Sequence, residues 1–467
     1  MKLKVCIIGA GSSGLATAKI LHENSIAFDW FEISSGIGGN WRYNNDNGRS
    51  AAYDSLHIDT SKDRMAFSDF PMPAVFPNYP HHSQVLEYFQ RYAEHFNLMP
   101  LITFQTRVDR VEPLSENSYD VTTECRHSGT KETNTYAAIL VCNGHHWHPK
   151  MPDFKGEFDG EIIHSLDYRH PKDLRGRNVL ILGVGNSGVD IACDVAPVAA
   201  HTFLASRRGA HIIPRYLLGR PTDKWTTPLF SRFPLGVQQT LFSLIVGLSR
   251  GRQSRTTMPV PPTQILTEHP TLSTELLPLI KARKIQPKTT IERLNGPEII
   301  FTDGSRESVD VLICATGYQI SFPFLDKKLV STEENQINLY GKVVHTTQTS
   351  LYFIGLIQPL GAIMPLAELQ AKWVAGLIKG RLNLPSQDEM TQAIVHDQAT
   401  LSNRYVPSTR HTIQVDFFPY KRWLENQIRQ PRLDHGAFAQ QPRPCGQNRA
   451  ERPAPPKVGP RSANTDQ

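Results

Sequence analysis

Two glycine-rich loops, each placed between an apolar strand and a helical pattern, constrain this chain more than any other feature. The first, Gly9-Ala10-Gly11-Ser12-Ser13-Gly14, follows the apolar run 2–8, and the second, Gly183-Val184-Gly185-Asn186-Ser187-Gly188, follows the run 178–182. Helical spacing begins directly after each loop. Glycines at such a turn let the backbone approach a pyrophosphate at the positive end of a helix. The sequence therefore predicts two dinucleotide sites.

The strand pattern after the first loop, at 26–31, ends in Glu32. Dinucleotide-binding folds place an acidic residue about 20 positions past the loop, where it accepts hydrogen bonds from ribose hydroxyls. A carboxylate there repels a 2′-phosphate, so this site is predicted to hold FAD or NAD and not NADP. Its predicted binding residues are Gly9, Gly11, Ser13, Gly14 and Glu32.

The strand pattern after the second loop, at 201–205, ends differently, in Ser206-Arg207-Arg208 with no acidic residue. Arginine at this point can pair with a 2′-phosphate, so the second cofactor is predicted to be NADPH. The alternative interpretation of two adjacent arginines is an exposed basic turn. The predicted binding residues of the second site are Gly183, Gly185, Asn186, Ser187, Gly188, Arg207 and Arg208.

Composition excludes several classes of protein. The net charge of +6 is modest and partly concentrated in the proline-rich stretch 431–467, so we predict no nucleic-acid function. The six cysteines form no Cys-x-x-Cys pair, which predicts buried thiols in a reducing, cytoplasmic compartment and no metal site. The apolar run 240–248 is far shorter than the roughly 18 residues that span a bilayer, so we predict no transmembrane segment. That run is interpreted as a buried helix, a substrate-channel wall or an interfacial patch.

Further motifs carry a resemblance to a known family. The spacing Phe158-x-Gly160-x-x-x-His164-x-x-x-Tyr168 is similar to the identifying motif of the flavin-containing monooxygenases. The two glycine loops, Gly38-Gly39-Asn40-Trp41, Phe67-Ser68-Asp69-Phe70-Pro71 and Ala315-Thr316-Gly317-Tyr318 also stand in that family's order, between about residues 3 and 424. The resemblance assigns further residues to cofactor binding: Gly39, Asn40, Trp41, Thr60, Ala315, Thr316, Gly317 and Gln358.

The resemblance implies a reaction carried mainly by the cofactors. NADPH would reduce FAD, O2 would add to the reduced flavin, and a small molecule with a soft nucleophilic nitrogen or sulfur would take one oxygen from the flavin hydroperoxide. His164 is then interpreted as a structural residue and not a base, within a motif that joins the two nucleotide domains. A homodimer is one assembly hypothesis.

Asp59 departs from the family pattern, in which an Asn amide stands before the Thr-Ser-Lys segment and approaches the reactive edge of the flavin. An ionised carboxylate accepts hydrogen bonds but cannot donate one. We therefore name Asp59 as the candidate catalytic residue and expect it to alter the lifetime of the oxygenated flavin and to raise peroxide release.

Two alternatives to heteroatom oxygenation stay open. The Baeyer-Villiger monooxygenases carry a similar fingerprint with Trp at its last aromatic position, where this chain has Tyr168, and they oxygenate ketones. An NADPH oxidase or dinucleotide-binding sensor is the other alternative. Tyr168 favours the heteroatom-oxygenating branch.

The late strand and helix patterns, at 351–356 and 367–378, are expected to complete the first domain, so that the second is an insertion. The predicted fold class is α/β, with two dinucleotide-binding Rossmann-like domains and the NADPH domain inserted into the FAD domain. The predicted boundaries are 1–165 for the first part of the FAD domain, 166–325 for the NADPH domain, 326–430 for the C-terminal part of the FAD domain and 431–467 for a disordered basic tail.

Overall fold

The computed structural model describes residues 4–115, 117–250, 253, 258–259, 261–405 and 412–430. The predicted disordered tail, 431–467, lies outside the described residues. In chain order the helices are α1 (Ser12–Glu23), α2 (Lys62–Met65), α3 (His82–His95), α4 (Asn186–Val195), α5 (Leu235–Arg250), α6 (Leu276–Lys281), α7 (Met364–Ile378), α8 (Gln387–Arg404) and α9 (Phe417–Arg429).

The described residues also form strands, most of them short. In chain order they are β1 (Val5–Ile8), β2 (Phe28–Phe31), β3 (Ile102–Thr103), β4 (Thr106–Ser115), β5 (Ser118–Cys125), β6 (Lys131–Tyr136), β7 (Ala138–Val141), β8 (Glu161–His164), β9 (Asn178–Leu182), β10 (His201–Ala205), β11 (Ile212–Ile213), β12 (Tyr216–Leu217), β13 (Arg220–Pro221), β14 (Thr271–Leu272), β15 (Gln286–Lys288), β16 (Ile291–Asn295), β17 (Glu298–Phe301), β18 (Arg306–Ser308), β19 (Val311–Cys314), β20 (Leu339–Tyr340), β21 (Val344–His345), β22 (Leu351–Phe353), β23 (Gln358–Leu360) and β24 (Gln414–Asp416).

A seven-stranded sheet with the order β20-β21-β22-β7-β1-β2-β3 contains the first glycine loop. Strand β1 lies inside this sheet, parallel to β2 and β7, and is buried on both faces. Its alternate residues therefore enter two separate cores, with Val5 and Ile7 in one and Cys6 and Ile8 in the other. An unbroken apolar strand is what such burial requires.

A five-stranded parallel sheet with the order β15-β10-β9-β19-β8 contains the second glycine loop. All of its strands fall between β7 and β22 along the chain, and β22 pairs with β7 in the first sheet. Helix α7 then packs against α1. The mixed α/β architecture with two nucleotide-binding sheets confirms the predicted fold class, and the exact domain boundaries stay predictions.

Antiparallel sheets attach to each parallel sheet. Strands β4, β5 and β6 form one three-stranded sheet, and β16, β17 and β18 form another. Two connections join the seven-stranded and the five-stranded sheet: residues 142–160 lead from β7 to β8, and residues 315–338 lead back from β19 to β20. The cavity described below is lined by residues from both of these connections.

Helix α5 contains the apolar run 240–248 and has two different faces. Phe242 and Val246 are buried, whereas Leu241, Leu244 and Leu248 are exposed. The first interpretation of the run, a buried helix, therefore holds for one face of α5 only. Among the described residues, no helix combines the length and the apolar character that crossing a membrane requires.

Candidate active site

Both glycine loops open on one cavity of about 980 Å³. The cavity contains the carboxyl ends of β1 and β9, which is where open parallel sheets bind their ligands. Of the predicted site residues, the following line it: Gly9, Gly11, Ser13, Glu32, Gly39, Asn40, Trp41, Asp59, Thr60, Gly183, Gly185, Asn186, Ser187, Gly188, Arg207, Arg208, Ala315, Thr316, Gly317 and Gln358. Gly14 does not line it.

The first loop leads into α1, whose first turn has no side-chain cap. The unpaired N–H groups of such a turn form an anion site. Gly9 has a φ of +101°, and a Cβ atom on it would lie 2.8 Å from the carbonyl oxygen of Cys142. A Cβ atom on Gly14 would lie 2.0 Å from the carbonyl oxygen of Gly9, so Gly14 acts by letting the helix approach the loop.

Glu32 is 4% exposed and holds the first loop in place. Its Oε2 accepts a hydrogen bond from the backbone N–H of Ala10 at 2.6 Å, and its Oε1 accepts two from the N–H and hydroxyl of Ser34, at 2.9 and 2.7 Å. A carboxylate has about four acceptor positions, so capacity for a ribose hydroxyl is left. Glu32 thus has a structural role beside the predicted contact with a ribose.

The segment around Gly39 lies directly over the first loop. Gly39 has a φ of +54°, and a Cβ atom on it would lie 3.1 Å from the Cα atom of Gly11. The side-chain Oδ1 of Asn40 accepts a hydrogen bond from the backbone N–H of Ala51 at 2.7 Å, which fixes the next stretch of the chain beside the cavity. This close approach leaves a narrow cleft between two backbone segments, as a dinucleotide requires.

The second loop repeats this construction at α4, which also begins without a side-chain cap. Gly183 has a φ of +119°, and a Cβ atom on it would lie 2.4 Å from the carbonyl oxygen of Ala315. The side chains of Arg207 and Arg208 are exposed just beyond β10 and line the same cavity. Two cations at this strand end match the expected position of a 2′-phosphate.

His164, the histidine of the identifying motif, supports the loop that contains Gly317. Its Nδ1 accepts a hydrogen bond from the backbone N–H of Leu166 at 3.0 Å, so the proton resides on Nε2, which donates to the carbonyl oxygen of Gly317 at 3.1 Å. Burial lowers the pKa of the ring. Both nitrogens are thus used within the protein, in agreement with a structural role.

Thr60 and Gln358 border the cavity through different elements. The Thr60 hydroxyl donates to the carbonyl oxygen of Gly361 at 3.5 Å. The backbone N–H of Gln358 donates to the carbonyl oxygen of Ile413 at 2.8 Å at the start of β23. No group of three metal-ligating side chains occurs within the part of the chain that the structure describes.

Asp59 lies beside two charged residues that the sequence did not point to. Its Oδ1 is 3.7 Å from Nη2 of Arg215, and the same Nη2 is 3.5 Å from Oδ1 of Asp190. Burial, followed by the charge of Asp190, raises the pKa of Asp59 to about 7. A local signal for Asp190 exists, because it follows Asn186 by one helical turn and so shares its face of α4. Arg215 comes from a connection between β11 and β12 and has no such signal.

His145 is a second residue that sequence reasoning missed. It lines the cavity, and both of its ring nitrogens are buried without a hydrogen-bond partner among the residues that the structure describes. Burial lowers the pKa of this ring well below its usual value. Unpaired buried polar atoms on a cavity wall fit the approach of a polar ligand.

Comparison with known proteins gives the site its chemical context. A family model described as flavin-binding monooxygenase-like matches residues 2–434. The chain belongs to this family. Flavin-containing monooxygenase 5 of Oryctolagus cuniculus is 40% identical over 431 residues, which cover 89% of this chain and 80% of that protein. Flavin-containing monooxygenase 2 of Homo sapiens is 35% identical over 439 residues, which cover 90% of this chain and 81% of that protein.

A solved structure extends the comparison to the fold. S-allyl-L-cysteine S-oxygenase from Allium sativum matches with a TM-score of 0.71 and 25% identity, over 92% of this chain and 89% of that chain. Membership of the flavin-binding monooxygenase-like family confirms the predicted activity class and both predicted cofactors, FAD and NADPH. The assignment of individual binding residues stays a prediction.

Proposed function

We propose that this flavin monooxygenase uses NADPH and O2 to oxygenate a soft nitrogen or sulfur atom of a small molecule. The observation that carries the proposal is that both glycine loops open on one cavity, because hydride transfer requires the two cofactors to meet. The names of two similar proteins support the substrate class. They are dimethylaniline monooxygenase [N-oxide-forming] 2 of Pan troglodytes and the S-allyl-L-cysteine S-oxygenase.

FAD would be held by the first loop, Glu32 and the segment around Gly39, and NADPH by the second loop with Arg207 and Arg208. The uncapped first turns of α1 and α4 offer backbone N–H groups to the two pyrophosphates. The two ring nitrogens of His145, which have no hydrogen-bond partner among the described residues, fit a polar ligand in the same cavity. When bound, the cofactors supply hydride and activate oxygen.

The protein's own residues would position the reactants and exclude water. Apolar side chains on the cavity wall, including Met65, Phe242 and Ile363, suit an uncharged nucleophile. A neutral amine or a sulfide attacks through its own lone pair, so the protein needs no nucleophile of its own. Shielding from solvent is then the main requirement on this wall.

Product analysis tests this proposal. The purified protein is incubated with NADPH, O2 and either an aryl methyl sulfide, a tertiary aromatic amine or a cyclic ketone. We expect a sulfoxide and an N-oxide, each formed with consumption of NADPH. A lactone as the main product would instead support ketone oxygenation, and hydrogen peroxide without any oxygenated product would support the oxidase alternative.

We also propose a reducing compartment such as the cytoplasm, and a homodimer as the assembly. Support for the compartment comes from free thiols at Cys6, Cys125, Cys142, Cys193 and Cys314. Cell fractionation checks the location, and light scattering of the purified protein checks the assembly. A monomeric mass would exclude the dimer.

A further inference from the structure

Asp59 and Asp190 reach the same guanidinium from different parts of the chain. Asp59 precedes α2, Asp190 is in α4, and Arg215 lies between β11 and β12. The distances from Nη2 of Arg215 are 3.7 Å to Asp59 and 3.5 Å to Asp190. The three side chains are only 29%, 16% and 23% exposed, in the order Asp59, Asp190, Arg215. One cation thus faces two carboxyl groups in a water-poor place.

Other contacts hold each member of this cluster in position. The Tyr53 hydroxyl donates to Oδ2 of Asp190 at 2.9 Å. The side-chain oxygen of Asn186 accepts from the backbone N–H of Leu272 at 2.9 Å, and the Asn186 side chain acts on Asp59 by opposing the rise in the pKa of that carboxyl group. The carbonyl oxygen of Arg215 accepts from the backbone N–H of Thr222 at 3.0 Å and from the Tyr79 hydroxyl.

Tyr168, the last residue of the identifying motif, supports the cluster through its contact with Tyr53. The ring of Tyr168 packs against the ring of Tyr53 with 6.0 Å between the centroids, and the Tyr168 hydroxyl donates to Oδ2 of Asp194 at 2.6 Å. Tyr53 is 2% exposed and cannot swing away without opening this packing. The positions of Asp190 and of the shared guanidinium are therefore fixed by the core of the inserted sheet.

The balance of charges among Asp59, Asp190 and Arg215 indicates that the two carboxyl groups retain one proton. Two ionised carboxylates with one guanidinium would leave an unbalanced negative charge in a site of low dielectric, and such a pair keeps a proton instead. Burial raises the pKa of Asp59 to about 7 and that of Asp190 to about 6. Arg215 opposes both shifts, the Asn186 side chain opposes the rise for Asp59, and the Tyr53 hydroxyl opposes the rise for Asp190 by donating to it. The charges of Glu275 and Asp194 add to the rise for Asp190. The Tyr53 hydroxyl favours the ionised form of Asp190 by donating to it, whereas Oδ1 of Asp59 has no hydrogen-bond partner among the described residues, so this geometry places the proton on Asp59.

We propose that Asp59 and Asp190 share one proton at neutral pH, and that Asp59 carries it and presents an O–H donor to the cavity. Asp59 lines the cavity, and its buried Oδ1 makes no hydrogen bond to a described residue, although it lies 3.7 Å from Nη2 of Arg215. A protonated carboxyl group has an O–H donor, and it would take the place of the amide donor that the resemblance leads us to expect at this position. The shared proton stands on the cluster alone, whereas the use of that donor during oxygenation rests on the proposed function.

Infrared spectroscopy tests the shared proton without any turnover. We expect the wild-type protein at neutral pH to show the C=O stretch of a protonated carboxyl group, shifted in D2O. Asp59→Asn removes the band, and so does Asp190→Asn, because Asp59 then faces Arg215 alone and ionises. Asp63→Asn, an exposed carboxylate in the neighbouring helix α2, is the matched control and keeps the band. Absence of the band from the wild type, or its survival in both cluster variants, overturns the proposal.

Peroxide release per NADPH tests the donor role. The ionised fraction of Asp59 rises from about one tenth, one pH unit below its pKa, to about nine tenths one unit above, so peroxide release by the wild type should rise by up to about ninefold across that range. Asp59→Asn should stay flat. A flat wild-type profile with the infrared band present overturns the donor role alone. Failure of every variant to oxygenate any substrate overturns the proposed function and leaves the infrared result standing.

Variants are compared only when they are folded. The flavin absorbance retained after gel filtration and the thermal midpoint serve as the check for Asp59→Asn and Asp190→Asn. If Asp190→Asn does not fold, Tyr53→Phe gives the second comparison, since loss of its hydroxyl removes one donor from Asp190 and should shift the proton toward Asp190. An infrared band in Tyr53→Phe with the same titration midpoint as the wild type would contradict the coupling.

Discussion

Nε2 of His164 lies 3.1 Å from the carbonyl oxygen of Gly317, and this hydrogen bond ties the end of β8 to the loop after β19. The same carbonyl accepts from the backbone N–H of Lys150 at 3.0 Å. The loop thereby stays beside the second glycine loop, because Ala315 packs on Gly183. A histidine that looks like a base from sequence thus acts as a brace between two connections.

Replacing that brace should loosen the NADPH site. We expect His164→Ala to lower the free energy of unfolding by about 1–3 kcal/mol, since the buried backbone N–H of Leu166 loses its acceptor, and to raise KM for NADPH. The shape of the pH profile of kcat should not change, because the ring is not a base in the reaction. Urea unfolding and steady-state kinetics measure these effects, with the exposed His127→Ala as control. A profile that lost an ionisation near neutral pH would restore His164 as a base.

Acid should destabilise the protein partly through the same ring. Burial lowers the pKa of His164, so its contribution to stability is fully present above the unfolded value of about 6.5 and is lost as the pH falls through the folded pKa. The His164→Gln variant should therefore show a weaker loss of stability than the wild type between about pH 7 and pH 5. Urea midpoints at a series of pH values give the two slopes. Equal slopes would mean that the pKa of the His164 ring is not lowered in the folded protein.

Two helical glycines should respond in opposite ways to a methyl group. A Cβ atom on Gly188 would lie 2.1 Å from the carbonyl oxygen of Gly183, so Gly188→Ala should push α4 off its loop and weaken NADPH binding at least about tenfold. Gly247, on the exposed part of α5, has open space around its Cα atom, and Gly247→Ala should stabilise by up to about 1 kcal/mol. Fluorescence titration with NADPH and thermal unfolding compare them. Unchanged NADPH affinity in Gly188→Ala would contradict the predicted role of this loop.

The arginines beyond β10 should distinguish NADPH from NADH. We expect the double substitution Arg207→Ala and Arg208→Ala to raise KM for NADPH by roughly 10- to 100-fold, since a charge-assisted hydrogen bond contributes about 1.5–3 kcal/mol. KM for NADH, which lacks the 2′-phosphate, should change little. Arg293→Ala, exposed in β16 and outside the cavity lining, is the control. An equal rise for both nucleotides would indicate general electrostatics and not phosphate recognition.

Local patterns predicted the parts of the site that depend on local geometry. Both glycine loops, and the strands and helices that flank them, follow from glycine placement and from apolar periodicity over about 20 residues. Glu32 was predicted as a ribose acceptor, but its bonds to Ala10 and Ser34 depend on the close packing of two turns. The spacing of residues along the chain does not predict this structural role of Glu32.

Contacts between distant segments were not predictable from the sequence. Tyr53, Asp59, Asp190 and Arg215 come from separate elements, and only the folded sheets bring them within reach. The prediction from sequence therefore treats Asp59 as an isolated carboxylate, which can only accept hydrogen bonds. Which face of α5 is exposed could not be predicted for a similar reason, since its composition does not reveal which side the rest of the chain covers.

The interrupted order of the first sheet has a consequence for synthesis on the ribosome. Every strand of the five-stranded sheet has left the ribosome once Cys314 has emerged. The second edge of β7, however, is paired only after β22, which ends at Phe353, has emerged as well. An apolar strand with an open edge invites pairing with other chains. We expect the inserted sheet to form first in nascent chains, and translation between these two points to be the stage at which the protein is most prone to aggregate.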